Sequence, residues 1–206
     1  MDFYNRSGKA ITNFSDTLPT PQSELAIETL KDTYKFDFLT LKEKALEKDI
    51  EEQLVKHITS FLPELEGGFS FVGRQVPLKI DGEDFFIDLL FYHIKLKCYV
   101  VVELKSVKFR AEYAGKMNLY LSAVDDLMKS ENENSTIGLL LCKSKSEVIA
   151  EYALRGTTQP IGVAEYEIVK SIPTDLKPDL PTVEEIEKEL ASTMYKRNAG
   201  QDAENE

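Results

Sequence analysis

Three residues in the middle of the chain have the types and spacing of a hydrolytic site: Asp88, Glu103 and Lys105. They lie on two apolar runs, Asp84–Ile94 and Lys97–Lys105, that read as consecutive strands. If the connection turns symmetrically between Lys95 and Leu96, facing residues sum to 191, so Tyr92 faces Tyr99, Leu90 faces Val101 and Asp88 faces Glu103. Facing side chains stand roughly 5 Å apart at Cβ, and like charges that close are destabilising unless something neutralises them. A bound divalent cation would do so. Lys105, two residues beyond Glu103 and hence on the same face, would bring an ammonium to a scissile phosphate or a nucleophilic water.

Those carboxylates need elements to hold them. A preceding run, Phe69–Ile80, is separated from Asp84–Ile94 by Asp81-Gly82, a strong two-residue hairpin signal. In that register partners sum to 163, and Gln75 faces Asp88 with an amide for water or phosphate. Upstream, apolar residues from Glu43 to Leu65 recur at helical spacing up to Gly67-Gly68. At 100° per residue Glu51 falls inside the apolar arc of this helix and Glu52 outside it. A glutamate on a buried face requires a partner, which a metal site at the sheet would supply. Further helices are expected at Ser23–Lys31, Arg110–Met128, Ser146–Leu154 and Val183–Lys196, with strands at Thr136–Cys142 and Ile161–Val169. The order predicts an α/β fold, a mixed sheet made of an antiparallel meander plus further strands and flanked by helices. Residues 1–42 read as an arm or linker, 43–172 as the domain, and 173–206 as a C-terminal helix with a disordered tail.

Composition limits the alternatives. No apolar stretch reaches the roughly 20 residues of a membrane span and no signal-peptide pattern opens the chain, which reads as a cytoplasmic protein. Cys98 and Cys142 lie within apolar strands and read as buried thiols. His57 and His93 have no metal-like spacing to other ligands, and no Gly-rich phosphate loop or serine nucleophile motif is present. The net charge of −11 argues against a polyanionic partner, but the acidic excess lies in residues 1–67 and 161–206, while 68–160 balance. Within 94–116, Lys95, Lys97, Lys105, Lys108, Arg110 and Lys116 stand against Glu103 and Glu112 only. They read as a basic cluster for a phosphate backbone or as a solvated face.

The half-motif Ile87-Asp88 … Glu103-Leu104-Lys105 resembles the PD-(D/E)xK signature. Phe71-Val-Gly-Arg-Gln75, Asp84 to His93, Glu112-Tyr-Ala-Gly-Lys-Met-Asn118 and Tyr152-Ala-Leu-Arg155 through Tyr166 resemble the YhcG-type family of bacterial PD-(D/E)xK nuclease domains over nearly the whole chain. The resemblance implies a restriction endonuclease-like core, Asp88 and Glu103 as ligands of Mg²⁺ or Mn²⁺, Lys105 as catalytic lysine and Glu51 as the helix-one acid. Lys116 and Tyr120 are placed like the Gln-xxx-Tyr pair of RecB-like nucleases, with Lys for Gln, or form a plain helix-surface pair. Ser106-Val107 departs from the Ile-Gly usual in the family, and its N-terminal domain is missing from this chain. By that analogy the chain cleaves duplex or branched DNA, acting as a homodimer or with a further domain or partner. The alternative is a degenerate docking module of a defence complex, and a weaker one an RNA-directed enzyme.

Overall fold

The Asp81-Gly82 turn starts the sheet. Both residues have positive φ, 49° and 84°, as a tight two-residue hairpin requires. It joins β3 (Phe69–Ile80) to β4 (Glu83–His93), and β5 (Cys98–Lys108) completes an antiparallel meander. In this computed structural model residues 10–37, 39, 46–65 and 67–168 are described. They belong to one compact unit, Met1–Ser171, and the helix expected at Val183–Lys196 lies outside the described residues.

The remaining elements are β1 (Ile11–Thr12), α1 (Phe14–Thr17), α2 (Gln22–Thr29), β2 (Thr33–Lys35), α3 (Glu47–Lys56), α4 (Ile58–Glu64), α5 (Glu112–Leu127), β6 (Ile137–Ser144), α6 (Glu147–Leu154) and β7 (Ile161–Glu167). The sheet has seven strands in the order β1-β7-β6-β5-β4-β3, with β2 also on β7. Strands β5, β6 and β7 run parallel, and β6 is apolar at both parities because helices cover both of its faces. On one face Leu89, Phe91, Val100, Val102 and Leu139 pack against the helices before β3, including Ile50, Leu54 and Phe61. On the other, Leu90, Val101, Leu140 and Val163 pack against α5 and α6 through Met117, Leu121 and Leu154. The predicted mixed sheet flanked by helices is thus the observed one. α5 crosses so near β6 that a Cβ added to Gly138 would lie 2.7 Å from Met117 Cγ. No helix among the described residues is long and apolar enough to cross a membrane.

Two expectations need correction. Residues 10–37 are not an extended arm: β1 pairs antiparallel and β2 parallel with β7, and Phe14, Tyr34 and Phe36 are fully buried. Asn13 anchors this segment, donating to Thr157 Oγ1 at 2.7 Å and the Gln159 carbonyl at 2.9 Å while accepting from Ile161 N–H at 2.8 Å. The predicted single helix after residue 43 is two, because His57 leaves helical geometry with ψ 37° while the apolar spacing continues across it. Among the described residues the other predicted elements fall within three residues of the observed boundaries, the largest miss being β5, which runs on to Lys108 rather than ending at Lys105.

Candidate active site at the parting of two strands

The β4–β5 register sums to 191, running from His93↔Cys98 to Leu89↔Val102. The ladder stops there, one pair short of Asp88 and Glu103. Beyond it side chains take over the backbone bonds: Asp88 N–H donates to Glu103 Oε1 at 3.3 Å, and Leu104 N–H donates to Asp88 Oδ2 at 3.0 Å. Both carboxylates therefore sit at the apex of a fork, each fixed by the other strand.

Lys105 Nζ lies 2.7 Å from the Leu104 carbonyl, 3.5 Å from Glu103 Oε2 and 4.0 Å from Asp88 Oδ2. One cation thus already approaches three oxygens. Lys116, from α5, donates to Glu103 Oε2 at 3.0 Å and stands 4.9 Å from the Tyr120 ring centroid. Glu103 is only 1% exposed. Burial, and next the Asp88 charge, push its carboxyl above the ordinary range, with Lys116 and Lys105 opposing. Burial lowers the Lys105 and Lys116 pKa values, but the carboxylates around Lys105, and Glu103 with Tyr120 beside Lys116, outweigh it and hold both ammoniums above their usual range.

The register to β3 sums to 163 on both sides of Gln75, from Arg74↔Leu89 and Val76↔Ile87. Gln75 itself has φ 48°, which breaks strand alternation. Consecutive residues can then serve one partner. Arg74 Nε lies 3.0 Å from Glu51 Oε1, and Gln75 Nε2 donates to Glu51 Oε2 at 2.6 Å and Asp88 Oδ1 at 3.4 Å. Glu51 is buried on α3, as its helical angle predicted, and burial raises its pKa. It reaches Asp88 through Gln75.

Asp88, Glu103, Lys105, Gln75, Glu51 and Lys116 therefore come together. Tyr120 closes the side, its hydroxyl donating to the Phe86 carbonyl at 3.0 Å. Lys108 is exposed at the end of β5, and Arg110 pairs with Glu112 at 2.9 Å. The basic cluster expected over 94–116 is split: Lys95 and Lys97 lie before the start of β5, with Lys97 roughly 36 Å from Lys108 at about 3.3 Å per residue. Sequence reasoning missed Glu47, which accepts from Ser106 N–H at 3.1 Å and lies 3.4 Å from Lys105 Nζ. Its one signal was its place a helical turn before Glu51. Arg74 was missed because strand alternation turns it away from Gln75.

Among the described residues no three His, Cys, Asp or Glu side chains form a ready metal cluster. The donors that could hold a cation are Asp88, Glu103 and the Leu104 carbonyl, all hard oxygens suited to Mg²⁺ or Mn²⁺. The close approach of Lys105 Nζ to these oxygens shows that the set can face one positive charge, so the residues fit.

The YhcG PDDEXK nuclease domain family matches residues 27–181. The Escherichia coli protein named "Putative nuclease YhcG" is 39% identical over 150 residues, covering 73% of this chain and 40% of that protein, so the chain spans two fifths of its relative's length. Among solved structures, a repair endonuclease from Pyrococcus abyssi aligns with TM-score 0.40 and 16% identity, covering 65% of this chain and 50% of that one. An EndoMS–dsDNA complex aligns with TM-score 0.40 and 19% identity, covering 65% and 49%. The family match spans most of the chain and contains the whole fork of β4 and β5, so the chain belongs to the YhcG PDDEXK nuclease domain family.

Proposed function

We propose that this domain hydrolyses phosphodiester bonds of DNA with a divalent metal ion, using Asp88, Glu103 and Lys105 at the fork. The observation that carries this reading is the convergence of two carboxylates, a carbonyl and an ammonium at one strand opening. In this reading Asp88, Glu103 and the Leu104 carbonyl hold Mg²⁺ or Mn²⁺. When bound, that ion would polarise the phosphate and lower the pKa of an attacking water. Lys105 remains protonated beside its carboxylates, so it orients water and offsets charge growing on the phosphate rather than acting as a base. Gln75 and Glu51 fix Asp88, Glu47 fixes Lys105, and Lys116 with Tyr120 holds the α5 side. Lys108 and Arg110 contact the backbone further along.

The net charge of −11 fits a protein that receives additional cationic contacts. We place these in a second copy or in sequence of the kind the longer relative carries. Localisation in the cytoplasm would keep Cys98 and Cys142 reduced. The deciding experiment is cleavage of linear, supercoiled and branched DNA with Mg²⁺ or Mn²⁺, with a chelator control and the Glu103→Ala and Lys105→Ala variants. Cleavage lost in both variants and with chelator supports the reading. A second reading, a docking module, is favoured by one observation: Arg74, Lys105 and Lys116 are all engaged by carboxylates. Metal and DNA binding without cleavage would select it.

A further inference from the structure

Lys105 is the last residue of β5 in unbroken register with β6. It pairs with Cys142 and the next pair is Lys108↔Ser144, so Ser106 and Val107 stand against Lys143 alone. An extra residue of this kind bends a strand and re-aims the side chains beside it. The direction of the Lys105 side chain therefore needs a hold besides the ladder. Two side chains from other elements supply one, at the peptide that joins Lys105 to Ser106. On one side Ser106 N–H donates to Glu47 Oε1 of α3 at 3.1 Å. On the other, the Tyr166 hydroxyl of β7 donates to the Lys105 carbonyl at 3.3 Å. The N–H and C=O of a trans peptide point in opposite directions, so these two bonds grip one plane from both sides.

Tyr166 is buried and stacks on Phe36, with ring centroids 5.4 Å apart, and Phe36 in turn meets Phe61 edge-on at 5.5 Å. A plain phenyl ring would fill this place, whereas a hydroxyl buried there costs free energy unless it finds a partner. The partner it finds is the backbone of the lysine. We propose that Tyr166 is a positioning residue: its hydroxyl, opposite Glu47, clamps the Lys105–Ser106 peptide and so holds the Lys105 ammonium at Asp88 and Glu103. Tyr166 touches no reacting atom and acts through Lys105. The strand β2 braces it from behind, since Phe36 follows Lys35 and Tyr34 pairs with Tyr166. The proposal rests on the nuclease reading only for its effect on turnover, because the clamp belongs to the metal-free chain.

The test is NMR of the 206-residue chain carrying isotope-labelled lysine, in chelator, with Lys105→Arg identifying the Lys105 side-chain signal. Tyr166→Phe, which keeps the ring, is expected to move that signal toward the position of exposed lysines. It should also lower kcat on DNA with Mg²⁺ about tenfold at unchanged KM, and lower the melting temperature by only about 2–4 °C, the loss of one hydrogen bond. A Lys105 signal that stays in place in Tyr166→Phe overturns the proposal whatever turnover does, because the hydroxyl then serves packing alone. The opposite side of the clamp is read through Glu47→Gln and Glu47→Ala. Both remove the charge beside Lys105, but only Gln keeps an oxygen for Ser106 N–H, so Gln should hold the signal nearer its wild-type position than Ala. Equal displacement by the two overturns the clamp, even where Tyr166→Phe fails to fold. If wild type leaves DNA uncut while the Lys105 signal responds as expected, the nuclease reading fails and the clamp stands.

Discussion

At the scale of residues, the site is a balance of charges that the fold holds in tension. Burial, and next the charge of Asp88, push the Glu103 carboxyl up, and Lys116 and Lys105 offset them only in part, so it stays above its ordinary range. Removing one negative charge should then stabilise the fold while destroying chemistry. Asp88→Asn, whose carbonyl can still accept from Leu104 N–H, is expected to raise the melting temperature in chelator by roughly 2–4 °C and to abolish metal-dependent cleavage, as calorimetry and a plasmid assay would show. Lys116 makes the complementary case. A carboxyl with a raised folded pKa loses stability as pH rises from its unfolded value through its folded value. Without Lys116 that loss deepens, so Lys116→Ala should cost about 1 kcal/mol more at pH 8 than at pH 5, a figure reduced for the 44% exposure of the lysine side chain. Urea unfolding of wild type and variant at the two pH values measures it, and an equal cost at both would contradict this charge balance.

At the scale of elements, α5 positions the site by two contacts that can be broken separately. Tyr120→Phe removes one hydroxyl from the Phe86 carbonyl and should cost about 1 kcal/mol in urea unfolding. Gly138→Ala places a Cβ against Met117 and should cost about 1–3 kcal/mol, recovered at least partly by pairing it with Met117→Ala. Much of this layer was legible in the sequence. The Asp81-Gly82 turn sets one register, and the near-symmetric connection after His93 sets the other, so Gln75, Asp88 and Glu103 could be placed opposite one another by arithmetic. The second turn was legible only in outcome. Its closure relies on His93 Nδ1 accepting from Leu96 N–H at 3.0 Å and on Lys97 at φ 50°, neither of which a dipeptide preference records. Glu47 and Arg74 were hidden for a related reason: their roles depend on where α3 docks and on one left-handed residue, Gln75, rather than on any local period.

At the scale of the whole molecule, buried polar groups tie stability to pH. His93 is 1% exposed, and burial lowers its pKa below the ordinary 6.5. Its folded state binds fewer protons than its unfolded one. The stability it contributes is therefore complete above about pH 6.5 and falls below it, by at most about 1.4 kcal/mol per pH unit. His93→Asn, able to accept the same Leu96 N–H, should flatten the difference in melting temperature between pH 7.5 and 5.5, and an unchanged pH dependence would remove His93 as its source. The strands hardest to foresee were β1 and β2, two and three residues long, whose hydrogen bonds come from β7 more than 130 residues later. Both lie along β7 at the flank of the sheet opposite β3, and that placement has a consequence for handling the protein. A chain started at residue 27, where the family match begins, would lose β1 and the Asn13 anchor, leaving the backbone groups of Gly162 and Val163 without their pairing strand. An uncovered edge of that kind is a template for another chain. The first strand thus serves as a guard against aggregation, and light scattering of the shortened chain should show self-association that the 206-residue chain lacks.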